Sequence, residues 1–364
     1  MTQTIEPTLF HKREALRKFY SQGIKPIDSR QPIPEELAQE IVKQLLKLGV
    51  PKDALIGVID TFLTLTLTLK EHGYNNITLL ENKHSNLTEH QERYYNNIRG
   101  ICDKIEVKYY VPPMNNWSRC NMKFDVIIGN PPYQNGKHKS TTNSLWKEFL
   151  ENSFRMSKQC YLVLPDIALA PPTFSKYKNN IVRVNTDIKR HFPGVGSGFC
   201  TIFLDKNPKD TLTITTKDNE YVIPIASLDF IPNNFNQSIL DDIKKYLTGT
   251  RKWDLTYEYE SRKNIFCDDG KYEVLHTPSN GIRRTNQYHP NNDLIRVSVD
   301  VSGHPKFHLI QNMGLTQSHY WTIFDNVKDA KDYVEWGNSD EVQSFLRKLK
   351  WGGMNSALVI KNLK

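Results

Sequence analysis

Apolar residues in this chain come in short runs whose spacing changes from one segment to the next. Leu37, Ile41, Leu45 and Leu48 recur at helical intervals and predict an amphipathic helix from about 34 to 49. Pro34 suits its first turn, Glu35 and Glu36 complement the positive helix end, and Gly49 ends it. Short β-branched or apolar runs follow at 54–60, 76–81, 104–110, 124–129, 159–165 and 199–204, each predicted as a strand. Helical faces lie between them at 88–100 and 145–154. Residues 61–72 alternate Thr and Leu, a period that suggests strand, but their place between two strands predicts a helix. Residues 112–120 and 168–175 read as loops. Residues 191–206 read as the hairpin that closes the sheet, with its turn at 195–198. Strands alternating with helices predict an α/β fold with a doubly wound mixed sheet.

The pattern shifts near residue 207. Beyond it, β-rich segments alternate with short helices, the last two at 327–336 and 339–350, which predicts a C-terminal α+β domain. The expected division is an N-terminal helical extension over 1–30 (helix at 11–21), an α/β domain over 31–207 and a second domain over 208–364. No internal repeat or low-complexity tract interrupts it.

Composition narrows the partners. With 38% hydrophobic and 24% charged residues in 364, the chain reads as a soluble globular protein with room for two cores. No apolar run reaches the ~18 residues of a membrane span, and the polar N-terminus lacks a signal-peptide core, so no membrane partner and a cytoplasmic location are expected. Cysteines 102, 120, 160, 200 and 267 are scattered, without Cys-x-x-Cys or a histidine at zinc spacing. They read as reduced thiols, and no metal is expected. A net charge of +8 favours a polyanionic partner through phosphate contacts.

The densest chemistry lies in Phe124-Asp-Val-Ile-Ile-Gly-Asn-Pro-Pro-Tyr133. A buried strand ends at Gly129 and meets two prolines, which lack N–H donors and stiffen the turn at the carboxyl end of the strand, where open α/β sheets bind ligands. The Asn130 side-chain oxygen and the Pro131 carbonyl are acceptors for the two N–H groups of an exocyclic amine, and the Tyr133 ring suits a planar heterocycle. Pro132 completes the corner.

Asn130-Pro-Pro-Tyr133 resembles the catalytic motif of S-adenosylmethionine-dependent amino-group DNA methyltransferases. Its Asn form is typical of adenine-N6 enzymes of the restriction–modification type in which the cofactor half comes first and target recognition last. Protein-glutamine and some RNA methyltransferases share the same four residues.

The resemblance implies a Rossmann-like methyltransferase fold, S-adenosyl-L-methionine as cofactor and a flipped-out adenine in double-stranded DNA as substrate. It implies that Asn130, Pro131, Pro132, Tyr133 and Phe192 form the catalytic pocket, with Phe192 against the base. Ile33, Pro34, Asp60 and Glu81 would face the cofactor, Glu81 at its ribose. Ile33 stands where the family's segment before the cofactor strand usually has Thr, and no glycine lies between Gly57 and Gly73, where the family has a glycine-rich turn. In the C-terminal domain Arg283, Arg284, Asn286 and Gln287 are side chains suited to base edges. Lys137 and Lys139 suit phosphate, and Trp351-Gly-Gly-Met-Asn-Ser356 resembles the tail of target-recognition domains. The expected form is a monomer, with or without a separate cognate restriction enzyme. Two alternatives remain at this level: a DNA-binding pseudo-methyltransferase with a degenerate cofactor site, and an RNA or protein-glutamine methyltransferase.

Overall fold

The computed structural model describes residues 32–60, 62–81, 89–110, 120–133, 145–193, 195, 198–247, 249, 251–255, 258–260, 264–277, 280–351 and 355–364. The chain divides into two compact units, Met1–Pro165 with Tyr177–Ser227, and Asp166–Lys176 with Leu228–Lys364.

The first unit is built on one mixed sheet. Helix α1 (Glu35–Lys47) leads into β1 (Ile56–Ile59), α2 (Thr64–Glu71), β2 (Ile77–Leu80), α3 (Glu89–Lys104) and β3 (Lys108–Tyr110). The chain then returns to the other side of β1 with β4 (Phe124–Gly129), α4 (Leu145–Met156) and β5 (Ser157–Pro165). After α5 (Pro171–Tyr177) come β6 (Ile181–Asn185), β7 (Phe199–Asp205), β8 (Thr211–Thr215) and β9 (Glu220–Pro224). The strand order is β3-β2-β1-β4-β5-β7-β6-β8-β9. Strand β1 is parallel to both β2 and β4, and β4 to β5, whereas β7 is antiparallel to β5 and β6. The winding reverses between β1 and β4, and a doubly wound sheet opens its ligand crevice at that reversal. Every residue of β1 and β2 is buried, as expected of parallel strands covered on both faces. At the opposite end of β4 the Asp125 carboxylate accepts from the Leu55 N–H at 2.9 Å and pairs with Lys158 at 2.8 Å, which fixes the starts of β1, β4 and β5 together.

The helix expected over the alternating Thr–Leu stretch is present as α2. Both residue types are buried: Leu65, Leu67 and Leu69 enter the core, and Thr66 and Thr68 are equally inaccessible. Threonine tolerates this because its hydroxyl finds local acceptors, Asp60 Oδ2 for Thr66 and the Thr64 carbonyl at 2.8 Å for Thr68. The strand-like period therefore records two polar atoms with partners inside a buried helix.

Several expectations need correction. Residues 168–175 are not a loop: a 3-10 turn over Asp166–Leu169 is followed by α5, whose Pro171 and Pro172 occupy a first turn in which a missing N–H costs nothing. The third strand begins only at Lys108, because α3 continues through Lys104. Strand β7 forms where predicted but does not close the sheet, since β6, β8 and β9 lie beyond it. The composition changes at 207, whereas the compact unit runs to Ser227, because β8 pairs in parallel with β6 (Arg183↔Thr213) and carries β9 with it. The helix expected at 11–21 and the loop at 112–119 lie outside the described residues.

The second unit is α+β. Helices α6 (Ile239–Tyr246), α7 (Val327–Asn338), α8 (Asp340–Lys348) and α9 (Ala357–Lys361) accompany two three-stranded sheets. One orders β11 (Gly281–Thr285), β10 (Tyr272–Thr277) and β14 (Met313–Leu315). The other orders β13 (Phe307–Ile310), β12 (Arg296–Asp300) and β15 (His319–Ile323). Asp166–Lys176 belongs here: the Ile231 N–H donates to the Leu169 carbonyl at 3.1 Å, and Asn233 Nδ2 to Asp166 Oδ2 at 3.3 Å. Trp351 is buried, donates Nε1–H to the Ile231 carbonyl at 3.0 Å and stands edge-on to Phe230.

Arg296 is among the largest fully buried side chains of the protein, and its charge is met from two directions. One guanidinium nitrogen pairs with Glu258 Oε1, and the other donates to the Met313 carbonyl at 2.7 Å. Glu258 in turn accepts from the Leu315 N–H at 2.7 Å and from Asn291 Nδ2 at 3.2 Å. Removing one partner of a buried pair strands the other charge in a low-dielectric interior, which costs about 3–5 kcal/mol. Glu258→Gln is therefore expected to destabilise the second unit by that amount, read as loss of hydrogen-exchange protection in β12 and β14. Unchanged protection would mean the pair is not a stability determinant.

Candidate active site

Three successive strand positions in the sheet end in the same way. Strand β2 is followed by Glu81, β1 by Asp60 and β4 by Asn130, and each of these polar residues is at most 3% exposed. Neighbouring strands lie about 4.8 Å apart, so the three side-chain stations fall in one short row across the reversal of the sheet. Buried polar groups are costly in a protein interior, and a row of them at strand ends makes this the candidate site.

Backbone geometry fixes the row. The Asn130 N–H donates to the Ile59 carbonyl at 3.0 Å, continuing the ladder that pairs Ile59 with Gly129 one residue beyond the strand. Gly129 has φ +145°, and a Cβ there would lie 2.2 Å from the Ile59 oxygen. Only glycine permits this approach, and the approach sets Asn130 beside Asp60.

Asp60 Oδ2 accepts from the Thr66 N–H at 2.9 Å and the Thr66 hydroxyl at 3.1 Å, so the carboxylate caps the first turn of α2. Burial pushes the Asp60 carboxyl up to about 6 despite these hydrogen bonds, and the nearby Glu81 carboxylate pushes in the same direction. No described lysine or arginine pairs with Asp60.

The turn between β1 and α2 is made without glycine. Leu63 takes up the left-handed conformation instead (φ 58°) while its side chain is fully buried. A left-handed L-residue costs about 1–2 kcal/mol, and burying a leucine side chain returns about 1.5–3 kcal/mol. Burial outweighs the strain, so this turn tolerates a residue that a glycine pattern would not suggest.

At the corner itself Asn130, Pro131 and Pro132 are buried and Tyr133 is half-buried. The Tyr133 hydroxyl donates to Asn130 Oδ1 and lies 3.4 Å from the Val163 carbonyl. The Asn130 oxygen expected to face an incoming amine thus already accepts from the phenol through one of its two lone pairs. Burial holds the Tyr133 phenol well above its ordinary range, so the hydroxyl keeps its proton and acts as donor. The Tyr133 ring tilts against Phe199 with centroids 5.5 Å apart, and Phe199 against Phe192 at 4.8 Å. Phe192 is only 5% exposed and joins the corner through Phe199.

Asp60, Glu81, Asn130, Pro131, Pro132 and Tyr133 are therefore brought together, with Phe192 one ring away. Ile33 is buried in the hydrophobic core ahead of α1, and Pro34 caps that helix. Arg283, Arg284, Asn286 and Gln287 are exposed on and just after β11 in the second unit. Arg284 pairs with Glu273 across the strands at 3.0 Å, Arg283 lies over the Phe266 ring, and Asn286 Oδ1 accepts from the Lys271 N–H at 3.2 Å. Lys137 and Lys139 lie outside the described residues. The sequence reading missed Thr66, Leu63 and Phe199. Of these only Thr66 left a signal, a hydroxyl at the start of a helix six residues after a strand-ending aspartate.

Among the described residues no helix is long and apolar enough to cross a membrane. Residues 35–185 match the family model Eco57I restriction-modification methylase. No curated protein matches the chain. Among solved structures, a putative class I S-adenosylmethionine-dependent methyltransferase from Listeria monocytogenes is similar at 16% identity and TM-score 0.43, over 58% of this chain and 72% of that one. The type IIL restriction-modification enzyme MmeI in complex with DNA is similar at 10% identity and TM-score 0.48, over 96% of this chain and 65% of that one. A type I restriction-modification complex is similar at 15% identity and TM-score 0.39, over 66% and 55% of the two chains. Identities and overlaps this low carry nothing about chemistry. The segment matched by that family model, 35 to 185, supplies Asp60, Glu81 and the Asn130 corner.

Proposed function

We propose that the chain transfers a methyl group from S-adenosyl-L-methionine to the N6 amine of an adenine flipped out of double-stranded DNA. The observation that carries this reading is the row of buried polar residues at three strand ends, Glu81, Asp60 and Asn130, with the last set in a proline-stiffened corner.

The donor set suits the cofactor. Asp60, a buried carboxylate without a described cationic partner, fits a ligand that brings its own positive charge, and Glu81 on the neighbouring strand suits ribose hydroxyls, as in other doubly wound nucleotide sites. S-adenosyl-L-methionine bound there supplies an electrophilic methyl group. The absence of a glycine-rich turn does not weigh against this, because Leu63 makes the turn in the left-handed conformation that glycine would have supplied.

At the acceptor side, Asn130 Oδ1 and the Pro131 carbonyl would accept the two N–H groups of the amine, turning its lone pair out of conjugation and towards the electrophile. The Tyr133 hydroxyl now on Asn130 Oδ1 would share that oxygen with the base or swing away from it, leaving its ring to stack. No dedicated general base is required, since the amine loses its proton after methylation makes it cationic. Adenine N6 is hidden in a duplex, so extrusion costs a few kcal/mol. The exposed Arg283, Arg284, Asn286 and Gln287 would offset it through phosphate and base-edge contacts. A duplex-DNA substrate gives these residues and the second unit a task, which an RNA or protein-glutamine substrate does not.

Asn130→Ala is expected to lower methylation of genomic DNA by at least a hundredfold, measured with labelled cofactor, while DNA affinity in a filter-binding assay stays within twofold. Turnover near the wild-type rate would refute the assignment.

Asp60 supports a second prediction. Its carboxyl is raised in the folded state, to about 6 from 3.8, so between those values the native state holds more protons than the unfolded one. Its contribution is therefore complete below pH 3.8 and lost as pH rises through 6, an effect of at most about 3 kcal/mol. Asp60→Asn, which keeps an acceptor for Thr66, should gain up to that much protection over the wild type at β1 amides at pH 8. Near pH 4 it should gain little, and calorimetry should show loss of cofactor binding. Equal protection at both pH values would show that Asp60 carries no charge penalty.

A further inference from the structure

Among the described residues, the second unit contains one group of metal-ligating side chains, away from the site described above. Asp300 ends β12, His308 lies on β13 and His319 opens β15. The register pairs Asp300 with His319 and Ser298 with His308. Directly opposed residues share a sheet face, as do residues two apart along a strand, so all three side chains rise from one face of the three-stranded sheet. His308 Nε2 lies 3.1 Å and His319 Nδ1 3.2 Å from Asp300 Oδ1, and the three donor atoms all fall within 4.8 Å of one another. A tetrahedral ion bound at about 2.0–2.1 Å separates its ligand atoms by about 3.3 Å, so these spacings suit a shared ion without rearrangement of the strands.

His319 supplies an independent observation. Its side chain is wholly buried, and neither ring nitrogen has a well-aligned hydrogen bond, although Nδ1 lies 3.2 Å from the Asp300 carboxylate. Buried polar side chains nearly always have a partner, and an imidazole so placed fits a lone pair reserved for a metal. Access exists on one side only: Asp300 is 3% exposed and His308 22%. The supporting shell is in place, since Asn355 Nδ2 donates to the Asp300 backbone carbonyl at 2.8 Å, and the Asn355 carbonyl accepts from the Tyr320 hydroxyl at 3.2 Å.

We propose that Asp300, His308 and His319 bind a zinc-class divalent transition ion, with water completing the tetrahedron on the His308 side. Two imidazoles and one carboxylate are a donor set that zinc takes in preference to calcium or magnesium, which require more oxygen ligands. Because the three ligands come from the three strands of one sheet, the ion would tie β13 and β15 to the end of β12. The site is independent of methyl transfer.

The test uses the full chain stripped with a chelator and then dialysed against zinc alone. One equivalent retained at micromolar free zinc, with increased hydrogen-exchange protection of β12, β13 and β15, is the expected result. His308→Gln removes a half-exposed ligand without emptying the core and should weaken binding at least tenfold. Cobalt added to the wild type should give the visible bands of a tetrahedral site, a readout that does not depend on any variant folding. The proposal is overturned if the wild type retains no zinc, if cobalt gives only a six-coordinate spectrum, or if His308→Gln folds and binds zinc as tightly as the wild type.

Discussion

The first unit depends on the contact between the ends of two parallel strands. Gly129 brings its backbone against the Ile59 carbonyl, nearer than any side chain would permit, and the next N–H closes a hydrogen bond to that same oxygen. Asp60 and Asn130 are consequently neighbours by backbone necessity, and their relative position owes nothing to side-chain flexibility. Pro131 and Pro132 then remove two donors from the segment that leaves the strand, so the corner has few other ways to satisfy its backbone. In the proposed function the placement that a transfer reaction demands between two reactants would be set by the sheet before either is bound.

The electrostatics of the site follow from the same placement. Carboxylates at the ends of adjacent buried strands repel each other and lose solvent, and Asp60 registers both effects. Two hydrogen bonds from Thr66 only partly compensate. In the proposed function a ligand that supplies positive charge would relieve that cost. The Tyr133 hydroxyl likewise gives the buried Asn130 oxygen a donor.

Much of this was legible in the sequence where a local rule sufficed. Buried strands end visibly at Asp60, Glu81 and Gly129, and the Asn-Pro-Pro-Tyr corner declares its stiffness through its prolines. What escaped depended on partners distant in sequence or on a contest between local preferences. The Thr–Leu period of α2 alone mimics a strand, because threonine hydroxyls can be hidden when a carboxylate and a carbonyl lie within reach, and only its place between two strands pointed to the helix that forms. Leu63 occupies a left-handed position because its burial outweighs the strain. The engagement of Asn130 by Tyr133 involves residues only three apart, yet it requires Val163 and Phe199 to set the ring, and both are remote. The two strands beyond β6 were invisible as part of the sheet because parallel pairing of β8 with β6 leaves no short-range mark.

The division of the chain has a practical corollary for recombining modules. Asp166–Lys176 lies between two strands of the large sheet yet is held by Ile231 and Asn233 on the far side of the composition change. A hybrid made by a single cut near residue 207 would sever β8 and β9 from the sheet they extend. It would also leave that eleven-residue excursion attached to the wrong parent. Grafting the second unit onto a related methylase therefore calls for three junctions, with Asp166–Lys176 exchanged alongside Leu228–Lys364 as one inseparable pair.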